Sequence, residues 1–117
     1  MDIVEACNNV GHGWTDLVGR YFGYVSVINC ACDADNVIRI EIVEVSRGML
    51  RIVAKHDSPL IQEILDKLSW AIERDSAKIC EVCGEKGYRR KSLPGSPNRC
   101  RKHYIELSND MAERGEI

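Results

Sequence analysis

VSVINCACDADNVIRIEIVEVSRGMLRIVAK, residues 25–55, decides how much sheet this chain can contain. β-Branched side chains crowd the stretch, and partial alternation of apolar and polar residues runs through Val37–Val45 and Leu50–Ala54. Two polar breaks divide it, Asp33-Ala34-Asp35-Asn36 and Ser46-Arg47-Gly48. The pattern predicts three strands, 25–32, 37–45 and 49–55, joined as an antiparallel meander. In the second strand Ile38, Ile40 and Ile42 are expected on one face, and Arg39, Glu41 and Val43 on the other.

Helices are expected on both sides. In residues 55–78, Ser58 suits an N-cap and Pro59 a first helical turn. Ile61, Ile64, Leu65, Leu68 and Ile72 form one apolar stripe, expected to cover the aliphatic face of the sheet. Upstream, GHGWTDLVGRYFG (residues 11–23) sets Trp14, Leu17, Val18 and Phe22 at helical spacing, with Gly23 placed to end the helix. Residues 101–114 suit a last helix, with Gly115 just past its end.

The chain has 117 residues, 44% of them hydrophobic, which suits one modest, mainly aliphatic core. No apolar run approaches the ~18 residues of a membrane span. The opening MDIVEACNNV lacks a basic n-region, so no signal peptide is expected and a reducing cytoplasm is. Six cysteines in such a compartment favour metal ligation or free thiols over disulfides.

Four potential ligands bracket the basic stretch 79–107. The spacing Cys80-x2-Cys83-x16-Cys100-x2-His103 suits a tetrahedral site for structural zinc. Cys80 and Cys83, followed by Gly84, form a knuckle. Cys100 and His103 fall on one face of a first helical turn. The segments 88–93 and 97–101 between them suit a small hairpin. Knuckle, hairpin and ligand-bearing helix together resemble a treble-clef zinc finger. Four protein ligands close the coordination shell, whereas a catalytic zinc keeps a position open for water. Cys7, Cys30 and Cys32 stand apart. Cys30 and Cys32 would share a strand face and, with Cys7 or His56, could make a second site, but buried free thiols are the plainer expectation.

No P-loop, nucleophile elbow or paired Cys–His nucleophile occurs, so no enzyme is expected. Asp33, Asp35 and Asn36 lack the glycine and distal glutamate of a calcium loop. Charge is uneven. Residues 1–79 carry 8 basic and 12 acidic side chains, whereas residues 80–117 carry 8 and 6. Arg89, Arg90, Lys91, Arg99 and Arg101 make the finger a candidate contact surface for phosphate or for an acidic protein. Asp33, Asp35 and Glu41 make the opposite candidate, an acidic face that mimics nucleic acid.

Three blocks carry a resemblance. Gly11-His12-Gly13-Trp14-Thr15-Asp16-Leu17-Val18, Val43–Ile52 and Asp75–Gly87, completed by Cys100 and His103, resemble a family of small uncharacterised proteins from bacteria and their phages. Val45-Ser46-Arg47 departs from that family's lysine and phenylalanine positions. The resemblance implies the architecture, the zinc and a setting on mobile elements. In that setting a small protein is expected to bind and inhibit a host protein or nucleoprotein machine, such as a CRISPR defence complex. A nucleic-acid-binding zinc-finger regulator is the alternative. The expected fold is α+β: a three-stranded antiparallel sheet packed by helices over residues 1–79, with a treble-clef-like finger over 80–117.

Overall fold

In the computed structural model, which describes Met1–Ile117, helix α1 (Ile3–Asn8) leads through a single 3-10 turn (His12–Trp14) into helix α2 (Thr15–Asn29). Strands β1 (Arg39–Ser46) and β2 (Met49–Lys55) follow, then helix α3 (Pro59–Ser76), the short strands β3 (Tyr88–Arg89) and β4 (Asn98–Arg99), and helix α4 (Arg101–Glu113). The molecule is a rod of 54 × 22 × 22 Å.

The expected three-stranded sheet is not formed. β1 pairs only with β2, and β3 only with β4, giving two separate two-stranded sheets. Residues 25–29, expected as the first strand, are the last turns of α2 instead, and Gly23 does not end that helix. The reason is the apolar stripe. Leu17, Val18, Tyr21 and Val25 are all buried at helical spacing, so packing of the stripe outweighs the modest β preference of Val25 and Val27. Val27, off the stripe, is 72% exposed. The expected strand face bearing Cys30 and Cys32 therefore does not exist. Cys30 caps the end of α2 and is exposed, and Cys32 lies in the turn beyond it.

The hairpin turns at Arg47-Gly48, both with positive φ (50° and 77°), as a two-residue primed turn requires. Its register shifts between Ile40 and Ile42, leaving Glu41 as the extra residue of a bulge. The bulge corrects the expected facing. Beyond it Val43, not Ile42, turns into the core opposite Ile52, while Ile42 lies opposite Val53 on the less buried face.

α3 begins at Ser58, whose hydroxyl accepts the Ile61 N–H, and its core face runs through Leu65, Ser69, Ile72 and Ser76. Ile64, expected in that stripe, is 41% exposed on the other side. α3 also takes the place of a further strand along β2. Ser76 Oγ accepts the Leu50 N–H at 2.8 Å, and Glu73 Oε1 accepts that of Ile52 at 3.0 Å. Gln62 accepts the His56 N–H and donates to the Ala54 carbonyl. Polar side chains on a helix thus satisfy a strand edge whose main chain would otherwise be buried without partners. A Tyr21–Ser69 hydroxyl contact of 2.9 Å ties α2 to α3 inside the core.

Candidate metal centre

Cys80, Cys83, Cys100 and His103 converge. Their ligand atoms all lie within 4.8 Å of one another, so the group could hold a metal ion. Cys80 Sγ lies 3.7 Å from His103 Nδ1, and Cys83 Sγ lies 3.8 Å from Cys100 Sγ. A tetrahedron built on metal–sulfur bonds of about 2.3 Å and metal–nitrogen bonds of about 2.0 Å has edges of about 3.8 Å and about 3.5 Å, so these two separations fit to within about 0.2 Å. Cys100 Sγ and His103 Nδ1 stand closer, at 3.1 Å, as neighbours one turn apart at the start of α4.

The main chain prepares the sulfurs. Burial alone would push the Cys80 thiol up, but N–H groups of Cys100, Cys83 and Val82 directed at it bring it down to about 6. At Cys83 the Glu85 N–H pulls the thiol down, yet burial and the neighbouring sulfurs of Cys80 and Cys100 outweigh it, and the net shift is upward.

The body of the protein holds the knuckle through the Gly-His-Gly-Trp motif. The Gly13 N–H donates to the Glu81 carbonyl at 2.9 Å, and Trp14 Nε1 donates to the Ile79 carbonyl at 2.9 Å. A Cβ on Gly13 would stand 1.9 Å from the Cys80 carbonyl oxygen, and one on Gly11 2.0 Å from that of Glu81. Only residues without a side chain allow this approach. Asn98, fully buried, donates from Nδ2 to the Ala77 carbonyl at 2.7 Å, tying β4 to the end of α3. The tip of the body's hairpin also touches the finger, where the Arg47 carbonyl accepts from Arg89 Nε at 2.8 Å. None of these roles for Gly11, Gly13 and Asn98 was apparent from metal-ligand spacing.

Of the five basic candidates, three are engaged within the molecule. Arg89 holds the hairpin tip as described. Arg99 Nε lies 2.8 Å from Glu81 Oε1, an ion pair whose approach is off the hydrogen-bonding axis and leaves the N–H unmatched. Burial pushes the Glu81 carboxyl up, and Arg99 pulls it only part of the way back. Arg90 donates from Nε to the Arg99 carbonyl, and its guanidinium stacks 4.5 Å from the Tyr104 ring and 5.4 Å from Tyr88. Lys86 sits 5.6 Å from the other contact partner, the Tyr88 ring, extending a run of alternating cations and aromatic rings. Lys91 and Arg101 are exposed.

The acidic candidates lie away from the finger. Asp33 and Asp35 are exposed in the turn after α2, where the Asn36 carbonyl meets His56 Nε2 at 2.9 Å, next to the open end of the hairpin. Glu41 is the exposed bulge residue. His56 has both ring nitrogens occupied, since Nδ1 accepts from the Ser58 N–H. It does not gather with Cys7, Cys30 or Cys32, and the only cluster of metal-ligating side chains is the Cys3His group.

No helix is long and apolar enough to cross a membrane. No protein-family model, curated protein or solved structure matches the chain.

Proposed function

We propose that this chain is a non-catalytic binding protein, stapled by a structural zinc ion, that docks on a nucleoprotein through one face of its finger. The observation that carries the reading is the run of Lys86, Tyr88, Arg90 and Tyr104, cations alternating with rings beside exposed Lys91 and Arg101. Such a surface offers positive charge to phosphates or acidic side chains and a ring face, on half-exposed Tyr88, to a base or another aromatic group. Arg90 is held from two sides, so it presents its charge at little entropic cost.

Zinc is the metal that best suits three thiolates and an imidazole at tetrahedral spacing, and the order of knuckle, hairpin and helix is that of a treble clef. When bound it supplies a crosslink between the knuckle and α4. With four protein ligands the shell is filled, which supports a structural role over one in hydrolysis.

The test is capture of partners from a lysate by the tagged chain, with and without nuclease, beside a Lys86→Ala/Lys91→Ala/Arg101→Ala variant. A discrete protein complex that survives nuclease and is lost in the variant supports the proposal. Nucleic acid alone, lost on nuclease treatment, would make the protein a zinc-finger nucleic-acid binder instead. Capture that ignores the finger variant but fails when Asp33, Asp35 and Glu41 are reversed would move the contact to the acidic surface.

A further inference from the structure

α3 is apolar on two opposite faces, and only one is used. Its core side carries Leu65, Ser69, Ile72 and Ser76. The opposite side carries Leu60, Ile64 and Trp70, exposed by 67%, 41% and 62%, interleaved with Glu63, Lys67 and Arg74. At 3.6 residues per turn these six side chains lie within about a third of the helix circumference. A surface helix needs one apolar stripe, and a second one that includes a solvent-exposed tryptophan points to a partner. Trp and Arg are also the residue types that most often anchor protein interfaces. Here they are already stacked, with the Arg74 guanidinium 4.7 Å from the Trp70 ring.

The charges on this face say which partner fits. Glu63 and Arg74 lie equally far from the step between residues 68 and 69, and so do Lys67 and Trp70. A second α3 laid antiparallel across that step therefore brings Glu63 against Arg74 of the other copy. It brings Lys67 over the Trp70 ring of the other copy. Both matches occur twice by symmetry, and Leu60 and Ile64 flank them. Within one chain Glu63 and Lys67 pair at 3.4 Å on the exposed surface, a weak contact that Arg74 of the copy would join or replace. A face that is self-complementary under a two-fold rotation is what an isologous dimer requires.

We infer that the outer face of α3, built on Leu60, Ile64, Trp70 and Arg74, is a dimerisation surface whose partner is a second copy of this chain in antiparallel orientation. α3 has 18 residues and is about 27 Å long, so a helix pair of this size belongs among small, reversible interfaces. The dimer would carry two fingers, and a partner with repeated binding sites would gain by their joint engagement.

Sedimentation equilibrium from micromolar to millimolar protein tests this. The wild type should pass from monomer to dimer over that range. Trp14 is fully buried within the monomer, so a blue shift of tryptophan emission with concentration should come from Trp70. Trp70→Ala should weaken association at least tenfold and leave thermal unfolding nearly unchanged. Glu63→Arg and Arg74→Glu should each weaken it, and the double reversal should restore it, which a merely structural role for either residue does not produce. A wild type that stays monomeric at the highest concentration would overturn the proposal. So would a dimer indifferent to Trp70→Ala, or single reversals that the double does not rescue.

Discussion

The body and the finger of this molecule are held together by different physics. The body, residues 1–79, buries thirteen apolar side chains in one cluster drawn from α1, the 3-10 turn, α2, the hairpin with Ile38 just before it, and α3. The finger buries almost none. Cys80, Leu93 and Met111 are its only buried hydrophobic residues, and its best-buried polar side chain, Asn98, reaches back to α3. Hydrophobic burial at about 25 cal/mol per Å² can hold the first region, but the second has too little such surface. A metal held by the Cys3His group would tie Cys80 and Cys83 to α4, and the body's main chain grips the knuckle from the other side. A region can therefore keep its place with hardly any core of its own, through close main-chain pairings with a better-packed neighbour and a set of side chains able to share an ion.

That contrast can be broken at the metal. Cys80→Ser, or a strong chelator, should unfold the finger. Metal binding in small modules is worth on the order of 10–16 kcal/mol, as large as a small domain's whole stability. The measurement is a pair of thermal or denaturant melts followed by far-UV circular dichroism with zinc added or removed. Melts of the variant that match wild type would show that the finger stands on its contacts with the body alone.

A smaller effect should come from the grip itself. Gly13→Ala forces a Cβ into the Cys80 carbonyl oxygen, with main chain on both sides and no flexible side chain to yield. A loss of about 3 kcal/mol is expected, of the size of overpacking and a broken buried hydrogen bond together. The loss should be accompanied by weaker zinc retention in a chelator competition. An unchanged zinc affinity would mean that body and finger are energetically separate. The smallest effect, and one of opposite sign, is expected in the body. Gly19 lies within α2, and a Cβ there meets nothing within 4 Å. Gly19→Ala should raise stability by about 0.5–1 kcal/mol through helix propensity and reduced freedom of the unfolded chain, with no change in zinc retention. If it destabilises, the region around α2 is tighter than it looks.

Much of this arrangement was legible in the sequence, for a common reason. The Cys3His group is written as two short pairs, because each pair closes a local turn that needs only neighbouring residues. Ser58 and Pro59 mark the start of α3, because capping is satisfied within the first turn. Arg47-Gly48 marks the hairpin, because the backbone conformation of a tight turn belongs to the residues that make it. Residues 25–32 carry a local preference for strand, since Val25 and Val27 favour sheets, yet 25–29 are helical. Their fate was decided by the helical stripe through Tyr21 and Val25, which pays off only when the core is assembled.

The sequence by itself determined the candidate metal ligands, the hairpin turn, the cap of α3 and the uneven charge. Tertiary structure alone decided that three arginines of the basic stretch serve the fold, that Glu73 and Ser76 line a strand edge, and that the bulge at Glu41 turns Val43 inward. It alone decided that Gly11 and Gly13 clasp a knuckle far along the chain. The physical reason is range. Turn geometry, capping and ligand spacing are settled by neighbours a few residues apart, whereas the use of a charge, a strand edge or a bare Cα depends on which distant segment packs against it.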